Sequence, residues 1–286
     1  MRKLLSVSVI VLIALAVVAI PAFAITGNWV KDYEHPFVGL VVYYDANGDF
    51  IWRCSGSLIS PTKFVTAGHC SDTGEGAVTA RVYFQQDAGA NYDPATQVDP
   101  LTGYPETCAP GTLGILCATS DELYNYGFAN FAGFPNTHDA GLVILDQPIN
   151  LPEYGVLPEA GALNGLDTAR GTQKTNLTVS GYGLTYRVND NSALSNISYR
   201  IRLMAASTLV NLRSKNTDGY NLQTQGNGDG HGGTCSGDSG GPVFLGGPES
   251  NKIVAVTSFG MNSLCRGTDY AYRIDRHEVL DWINSH

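Results

Sequence analysis

The sequence predicts an all-β protein, and three observations carry that prediction. Glycine is abundant, with 33 residues among 286. Charged residues make up only 15% of the chain while Tyr, Val and Thr are frequent, a composition that suits pleated, half-buried surfaces. Apolar residues fall in short runs divided by turn signals, and only one stretch, at the end, has helical periodicity. The length suits one large β domain or two barrels of about 120 residues each.

Residues 1–24 read as a secretory leader. Arg2 and Lys3 are followed by an apolar run from Leu4 to Ile20, then Pro21 and an Ala22-x-Ala24 cleavage site. The competing reading is an uncleaved membrane anchor, since about 17 apolar residues approach a minimal span. The Ala-x-Ala site directly after the run favours removal and a secreted, extracellular product covering 25–286. Removal leaves 15 basic against 26 acidic residues, a net charge of −11. That balance argues against nucleic acid or an anionic membrane as partner and suits a soluble monomer.

Phe37 to Tyr44 reads as a strand, Asp45-Ala46-Asn47-Gly48 as a turn, and Phe50 to Arg53 as the return of a hairpin. Asp45, Asn47 and Asp49 have calcium-loop spacing but lack the distal Glu, so a plain turn is expected. Residues 86–120 carry four prolines and two cysteines and read as a long surface insertion closed by a local bridge. Val143–Leu145 and Leu177–Ser180 are buried-strand candidates joined by a Pro-containing connection. Leu222 to Gly233 reads as loop. Val243–Leu245 and Ile253–Val256 are short strands. In the last helix, Asp275 and Glu278 suggest a capping box, ahead of an apolar stripe of Val279, Leu280 and Ile283.

Six cysteines, Cys54, Cys70, Cys108, Cys117, Cys235 and Cys265, suggest three disulfides in an exported chain. Their pairing is not fixed by the sequence. No C-x-x-C pair occurs, which argues against a zinc site, and neither metal nor cofactor is expected.

Three segments carry chemistry: Thr66-Ala67-Gly68-His69-Cys70, His138-Asp139-Ala140-Gly141, and Gly237-Asp238-Ser239-Gly240-Gly241-Pro242. A serine hydroxyl needs a base within reach and donors aimed at the oxyanion that forms after attack. Glycines around Ser239 let the backbone turn tightly and present N–H groups to a cleft.

These segments, in the order His, Asp, Ser, resemble those of the chymotrypsin-like (trypsin-like) serine proteases. Leu58-Ile59-Ser60 and Ser180-Gly181-Tyr182-Gly183 match further family strands, although Tyr182 stands where the family usually has Trp. The resemblance implies two six-stranded antiparallel Greek-key barrels packed together with a C-terminal helix. The barrels would span about 25–150 and about 170–274, and the helix about 275–285. It implies a secreted serine endopeptidase acting on protein or peptide substrates. Ser239 would be the nucleophile, His69 the general base and acid, and Asp139 the group that orients His69. The N–H groups of Gly237 and Ser239 would bind the oxyanion. The resemblance also implies the bridges Cys54–Cys70 and Cys235–Cys265, leaving Cys108–Cys117.

In this family a new Ile N-terminus pairs with the Asp before the nucleophile. Leader removal alone would expose Ile25-Thr26-Gly27, close to the family's Ile-Val-Gly-Gly but with Thr second. Export itself is therefore expected to activate the enzyme by pairing Ile25 with Asp238, whereas most relatives cut a propeptide. The resemblance places Gly233 at the base of the primary pocket and Gly260 at its entrance. Ser258 and Phe259 lie on the strand that pairs with substrate. If Asp269 points inward, basic side chains are favoured, and if outward, large apolar ones; the sequence leans to the apolar reading.

His138 is read as structural, because adjacent strand residues point to opposite faces. His35, His231, His277 and His286 have no motif around them. Asn176 and Asn196 begin glycosylation sequons. Two other function classes compete: a protease-like binding protein without catalysis, and a surface-anchored structural module.

Overall fold

The computed structural model describes residues 25–88, 103–105, 108, 116–166, 168–184, 200–228, 230–263 and 265–286. The leader 1–24, the Asn196 sequon and most of the 86–120 insertion lie outside the described residues.

Two short strands open the described chain, β1 (Thr26–Gly27) and β2 (Trp29–Lys31). The next seven are β3 (Val38–Tyr44), β4 (Phe50–Leu58), β5 (Lys63–Thr66), β6 (Thr79–Tyr83), β7 (Cys117–Ser120), β8 (Glu122–Asn125) and β9 (Gly141–Ile144). They pair antiparallel in the order β7-β6-β3-β4-β5-β9-β8. The two edges, β7 and β8, are separated in sequence by Asp121 alone, so one bent segment borders both ends of the sheet. Ser120 Oγ donates to Ile144 O (2.6 Å) and the Asp146 amide to Thr119 O (2.9 Å), bridging the seam. The result is a nearly closed barrel.

The second half holds β10 (Asn176–Gly181), β11 (Leu203–Asn211), β12 (Asn221–Thr224), β13 (Gly232–Gly233), β14 (Pro242–Leu245), β15 (Ile253–Gly260) and β16 (Asp269–Arg273). Six of these close a ring, β10-β14-β15-β16-β12-β11, with β11 pairing back to β10. β2 adds to the start of β11, and β1 pairs with β13. The expected pair of β-barrels is therefore present, one closed and one nearly so.

Six of the seven β3 residues are buried, because both faces of that strand are covered. Each such Val or Leu contributes about 1.5–3 kcal/mol of burial. The first core, built on Leu40, Val42, Phe64 and Tyr83, continues into Phe244, Val256 and Tyr272 of the second barrel. A separate second core gathers Ile25, Leu177, Val179, Leu209 and Val254. The barrels are thus joined by packed side chains, and the segments that carry His69, Asp139 and Ser239 come together at this junction.

Three local expectations need correction. Leu222 to Gly233 is not all loop: Asn221–Thr224 is ring strand β12, where Leu222 is fully buried, and Gly232–Gly233 pairs with the N-terminal segment. The insertion, closed by the expected Cys108–Cys117 bridge, is not all surface: it ends in ladder strand β7, and its described residues are tied down. Tyr104 is buried beneath Arg53, and Pro105 O accepts from Tyr83 Oη (2.5 Å) and Arg81 Nη1 (2.9 Å). The helix α1 (His277–Ser285) has no side-chain cap. The Asp275 carboxylate is occupied elsewhere, by Arg273 Nε and Nη2 and the Leu163 amide, each at 2.8 Å. Val279, Leu280 and Ile283 are buried as the periodicity requires.

The three bridges are Cys54–Cys70, Cys108–Cys117 and Cys235–Cys265. The Asp45 carboxylate accepts from the Asn47 and Asp49 amides at 2.8 and 2.9 Å, a turn cap.

Candidate active site

His69 follows β5 on a turn pinned by the Cys54–Cys70 bridge. Asp139 stands two residues ahead of the first residue of β9, which pairs with β5, so the two residues flank neighbouring strands at the same end. The Asp139 carboxylate is fully buried and accepts twice from His69, from its amide (2.8 Å) and from Nδ1 (2.9 Å to Oδ2). Ser258 Oγ donates to the same carboxylate. The His69 ring is a quarter exposed, with Nδ1 held inward. Burial works against the imidazolium, but the charge and hydrogen bond of Asp139 outweigh it and hold the ring's pKa above 6.5.

Ser239 lies on a loop held from both barrels, by β4 and by β15. Its carbonyl accepts from the Ser55 amide (2.8 Å), and Gly240 donates to Thr257 O (2.8 Å). A Cβ at Gly240 would stand 2.1 Å from Thr66 Oγ1, so only glycine allows this approach. No hydrogen bond joins Ser239 Oγ to His69 among the described residues, as is common before substrate closes such a site.

The loop also leaves two donors open. Asp238, Gly240 and Gly241 all commit their amides to carbonyls, whereas those of Gly237 and Ser239 bond to nothing among the described residues. Gly237 sits at φ +93°, and Ser55 Oγ fixes its carbonyl at 2.8 Å. Two N–H groups on either side of a buried Asp form a concave donor pair able to receive a developing oxyanion.

Asp238 points inward and is fully buried. Its carboxylate accepts from Gly183 (2.7 Å), from Cys235 (2.9 Å) and from the Ile25 backbone nitrogen. Burial pushes the carboxyl up to about 7, beyond what these three donors offset. Ile25, itself fully buried, therefore meets the predicted partner.

A cavity of about 160 Å³ opens beside Ser239, lined by Cys235, Ser258, Phe259, Gly260, Met261 and Asp269 among others. Gly233 lies behind it, and a Cβ there would stand 2.6 Å from Asp269 Oδ2. That oxygen accepts from the Thr234 amide at 2.7 Å. Asp269 thus points inward, against the lean toward an apolar pocket, because its register opposite Gly260 turns the carboxylate toward Gly233. Burial raises this carboxyl too, to about 7.

His138 is uncoupled from the site as expected, but for a different reason. It is not on a strand: it sits at φ +52°, with Nε2 bonded to Asn136 Nδ2 at 3.1 Å. Among the described residues, the one group close enough to hold a metal, Cys54, His69 and Cys70, has both sulfurs committed to a disulfide.

Residues 118–283 match the trypsin family model, more than half of the sequence. The chain belongs to the trypsin family. Brachyurin from Leptuca pugilator is 30% identical over 246 residues, 83% of this chain and 88% of its own length. CLIP domain-containing serine protease B10 from Anopheles gambiae is 27% identical over 271 residues, 91% of this chain and 68% of its own. The solved structure of HL collagenase superposes with a TM-score of 0.61 at 19% identity, covering 91% of this chain and 97% of its own, a likeness of fold. The family match contains Asp139 and Ser239 and begins after His69.

Some site residues of this trypsin-family chain escaped sequence reasoning. Ser55 Oγ bridges Gly237 O and the Tyr182 amide, and only its place beside Cys54 hinted at it. Phe128 lies 5.7 Å from the His69 ring, and Phe131 and Phe134 each lie 5.7 Å from Phe259, forming an apolar shelf beside the pocket. Tyr182, in the place of the family's Trp, uses its hydroxyl to donate to Gln85 O (2.6 Å) and to accept from Arg202 (3.1 Å).

Proposed function

We propose that the chain is an exported serine endopeptidase that cleaves after basic side chains and becomes active when Ile25 is its N-terminus. The observation that carries the catalytic reading is the double clamp of Asp139 on the amide and Nδ1 of His69, which leaves Nε2 to serve as base. In this mechanism His69 Nε2 takes the Ser239 proton as Oγ attacks the peptide carbonyl. The amides of Gly237 and Ser239 hold the resulting oxyanion. Collapse expels the amine, which receives the proton from His69. Water, deprotonated by His69, then hydrolyses the acyl-Ser239 ester and regenerates the hydroxyl.

The inward Asp269 supports the basic preference, since a guanidinium or ammonium entering past Gly260 would meet a buried carboxylate. The contact between the Ile25 nitrogen and Asp238 supports activation by the new N-terminus. A free α-ammonium there supplies the cation a buried carboxylate needs.

The test has two parts. Secreted protein is sequenced from its N-terminus and treated with a sulfonyl fluoride; the expected result is Ile25 first and label on Ser239, absent in Ser239→Ala. A peptide-library digest then reports the residue before the cut, expected to be Arg or Lys and to lose that bias in Asp269→Ser. Unlabelled Ser239 in correctly started protein defeats the reading and leaves a protease-like binding protein. An unchanged preference for large apolar residues defeats the basic pocket alone.

A further inference from the structure

Thr26 departs from the family's start, and its hydroxyl has partners that explain the departure. Thr26 is 2% exposed. Its Oγ1 donates to Gly233 O (3.1 Å) and accepts from Asn227 Nδ2 (3.0 Å). The same Asn227 amide donates to Cys265 O (2.6 Å), and Asn227 Oδ1 accepts from the Gly267 amide (2.9 Å). Asn227 therefore holds the N-terminal strand with one hand and the Cys265–Gly267 wall of the pocket with the other. The β1–β13 pairing carries the same N-terminal strand to Gly233, at the pocket base.

Valine at position 26 could fill the space but could neither donate to Gly233 nor accept from Asn227. A half-buried amide that binds two separate segments through three side-chain hydrogen bonds loses them together, because each bond fixes the geometry of the next. Gly27, at φ +81° and with its Cβ position 3.0 Å from Asn227 Cβ, lets the strand pass this close.

From this arrangement we infer that Thr26 and Asn227 are positioning residues that relay docking of the N-terminus to the wall of the substrate pocket. The inference rests on the proposed function for its meaning, because it couples the activating end to the specificity pocket. Docking of Ile25 against Asp238 places Thr26 Oγ1, which aligns Asn227, which in turn fixes the Cys265 carbonyl and the Gly267 amide. Neither residue touches the reacting atoms.

The experiment compares two forms of the full folded chain, one starting at Ile25 and one extended by Ala24, by hydrogen exchange of the 262–268 segment. In the wild type the Ile25 form is expected to exchange about five- to tenfold more slowly, the scale of one net hydrogen bond. Thr26→Val and Asn227→Ala should each abolish that difference, Thr26→Ser should retain it, and the double variant should be no worse than either single. An equal wild-type difference surviving in Thr26→Val or Asn227→Ala overturns the relay, as does a wild type in which the two forms exchange alike. Sulfonyl fluoride labelling of Ser239 in the same samples reports the proposed function separately, so either idea can fail alone. A purely structural role would lower melting temperature in both forms equally and leave the exchange difference intact, which also overturns it.

Discussion

Among the described residues, two buried carboxylates, Asp139 and Asp32, clamp a histidine with nearly the same local geometry. In the cleft, Asp139 accepts from the amide of His69 (2.8 Å) and from its Nδ1 (2.9 Å), with Ser258 Oγ on the carboxylate. Between the barrels, Asp32 accepts from the amide of His35 (3.0 Å) and from its Nδ1 (2.9 Å), with Ser180 Oγ on the carboxylate. What differs is the far side of the ring. The His69 ring is a quarter exposed, whereas His35 is fully buried, stacks on Phe244 at 4.2 Å, and leaves Nε2 without a hydrogen-bond partner among the described residues. An oriented imidazole becomes a base only where a substrate proton can reach it. The buried pair instead ties the chain ahead of β3 to the second barrel, helped by Arg202, which donates to Asp32 O, Val38 O and Phe84 O.

The largest separation between the pairs should appear in activity. His69→Ala is expected to lower kcat/KM by about 10⁴-fold or more with the melting temperature nearly unchanged. His35→Ala should lower the melting temperature and leave activity per labelled Ser239 intact. Loss of activity per labelled site in His35→Ala would break the distinction.

Next in size is the cost of cutting the buried network. Asp32→Ala strands His35 and Arg202 in the interior and should cost about 3–5 kcal/mol in urea unfolding. Burial opposes ionisation of Asp32, but His35, Arg202 and Ser180 together hold its carboxyl below the ordinary value. A depressed carboxyl stabilises the fold above the unfolded pKa, and that contribution is lost as pH falls through the folded value. The Asp32→Ala penalty should therefore shrink in acid, below about pH 4.

The N-terminal pocket gives a comparable effect of opposite sign. With Ile25 in a peptide bond, Asp238 sits near 7 instead of 3.8. A raised carboxyl favours the folded state at low pH, and the advantage is lost as pH rises from about 4 to about 7. A chain extended by Ala24 should lose up to about 4 kcal/mol more between pH 4 and pH 8 than the Ile25-terminated chain. The ammonium of the latter pairs with ionised Asp238, whereas the raised Asp269 contributes alike to both forms. Equal losses in urea titrations of both forms would remove the ammonium from the account.

The smallest effects sharpen the comparison at the serines. Ser180→Ala should cost about 1.5–3 kcal/mol of stability, the worth of a hydrogen bond to a charged group. Ser258→Ala removes a donor that partly screens the Asp139 charge and should instead appear as a higher midpoint for the His69 titration by NMR in a Ser239→Ala background. That midpoint should lie above 6.5 while Asp139 holds the ring. A His69 midpoint below 6.5 in the intact site would contradict the clamp.

Much of the cleft was legible because each of its parts carries a local signature. Ser239 sits among glycines that the backbone needs for a tight turn, and His69 sits beside a cysteine that anchors its strand. The strands β3, β10 and β15 were legible from runs of apolar and β-branched residues. The Asp32–His35 pair was not: two polar residues three apart look like any surface turn until two barrels close over them. Asn227 lay in a Gly- and Asn-rich tract whose composition signals loop, and no sequence pattern marks an amide that bridges two distant segments. Asp275 looked like a helix cap, but the guanidinium of Arg273 claimed it first.

The amino-acid sequence by itself determined the all-β class, the exported-type cysteine set and the three chemical segments, because turn glycines, strand periodicity and motif spacing are properties of short windows. The direction of the Asp269 carboxylate, the contact of the Ile25 nitrogen with Asp238, and the division of labour between the two histidines were decided only in three dimensions. Each depends on which side of a strand faces which neighbour, and on how much water the closed barrels exclude.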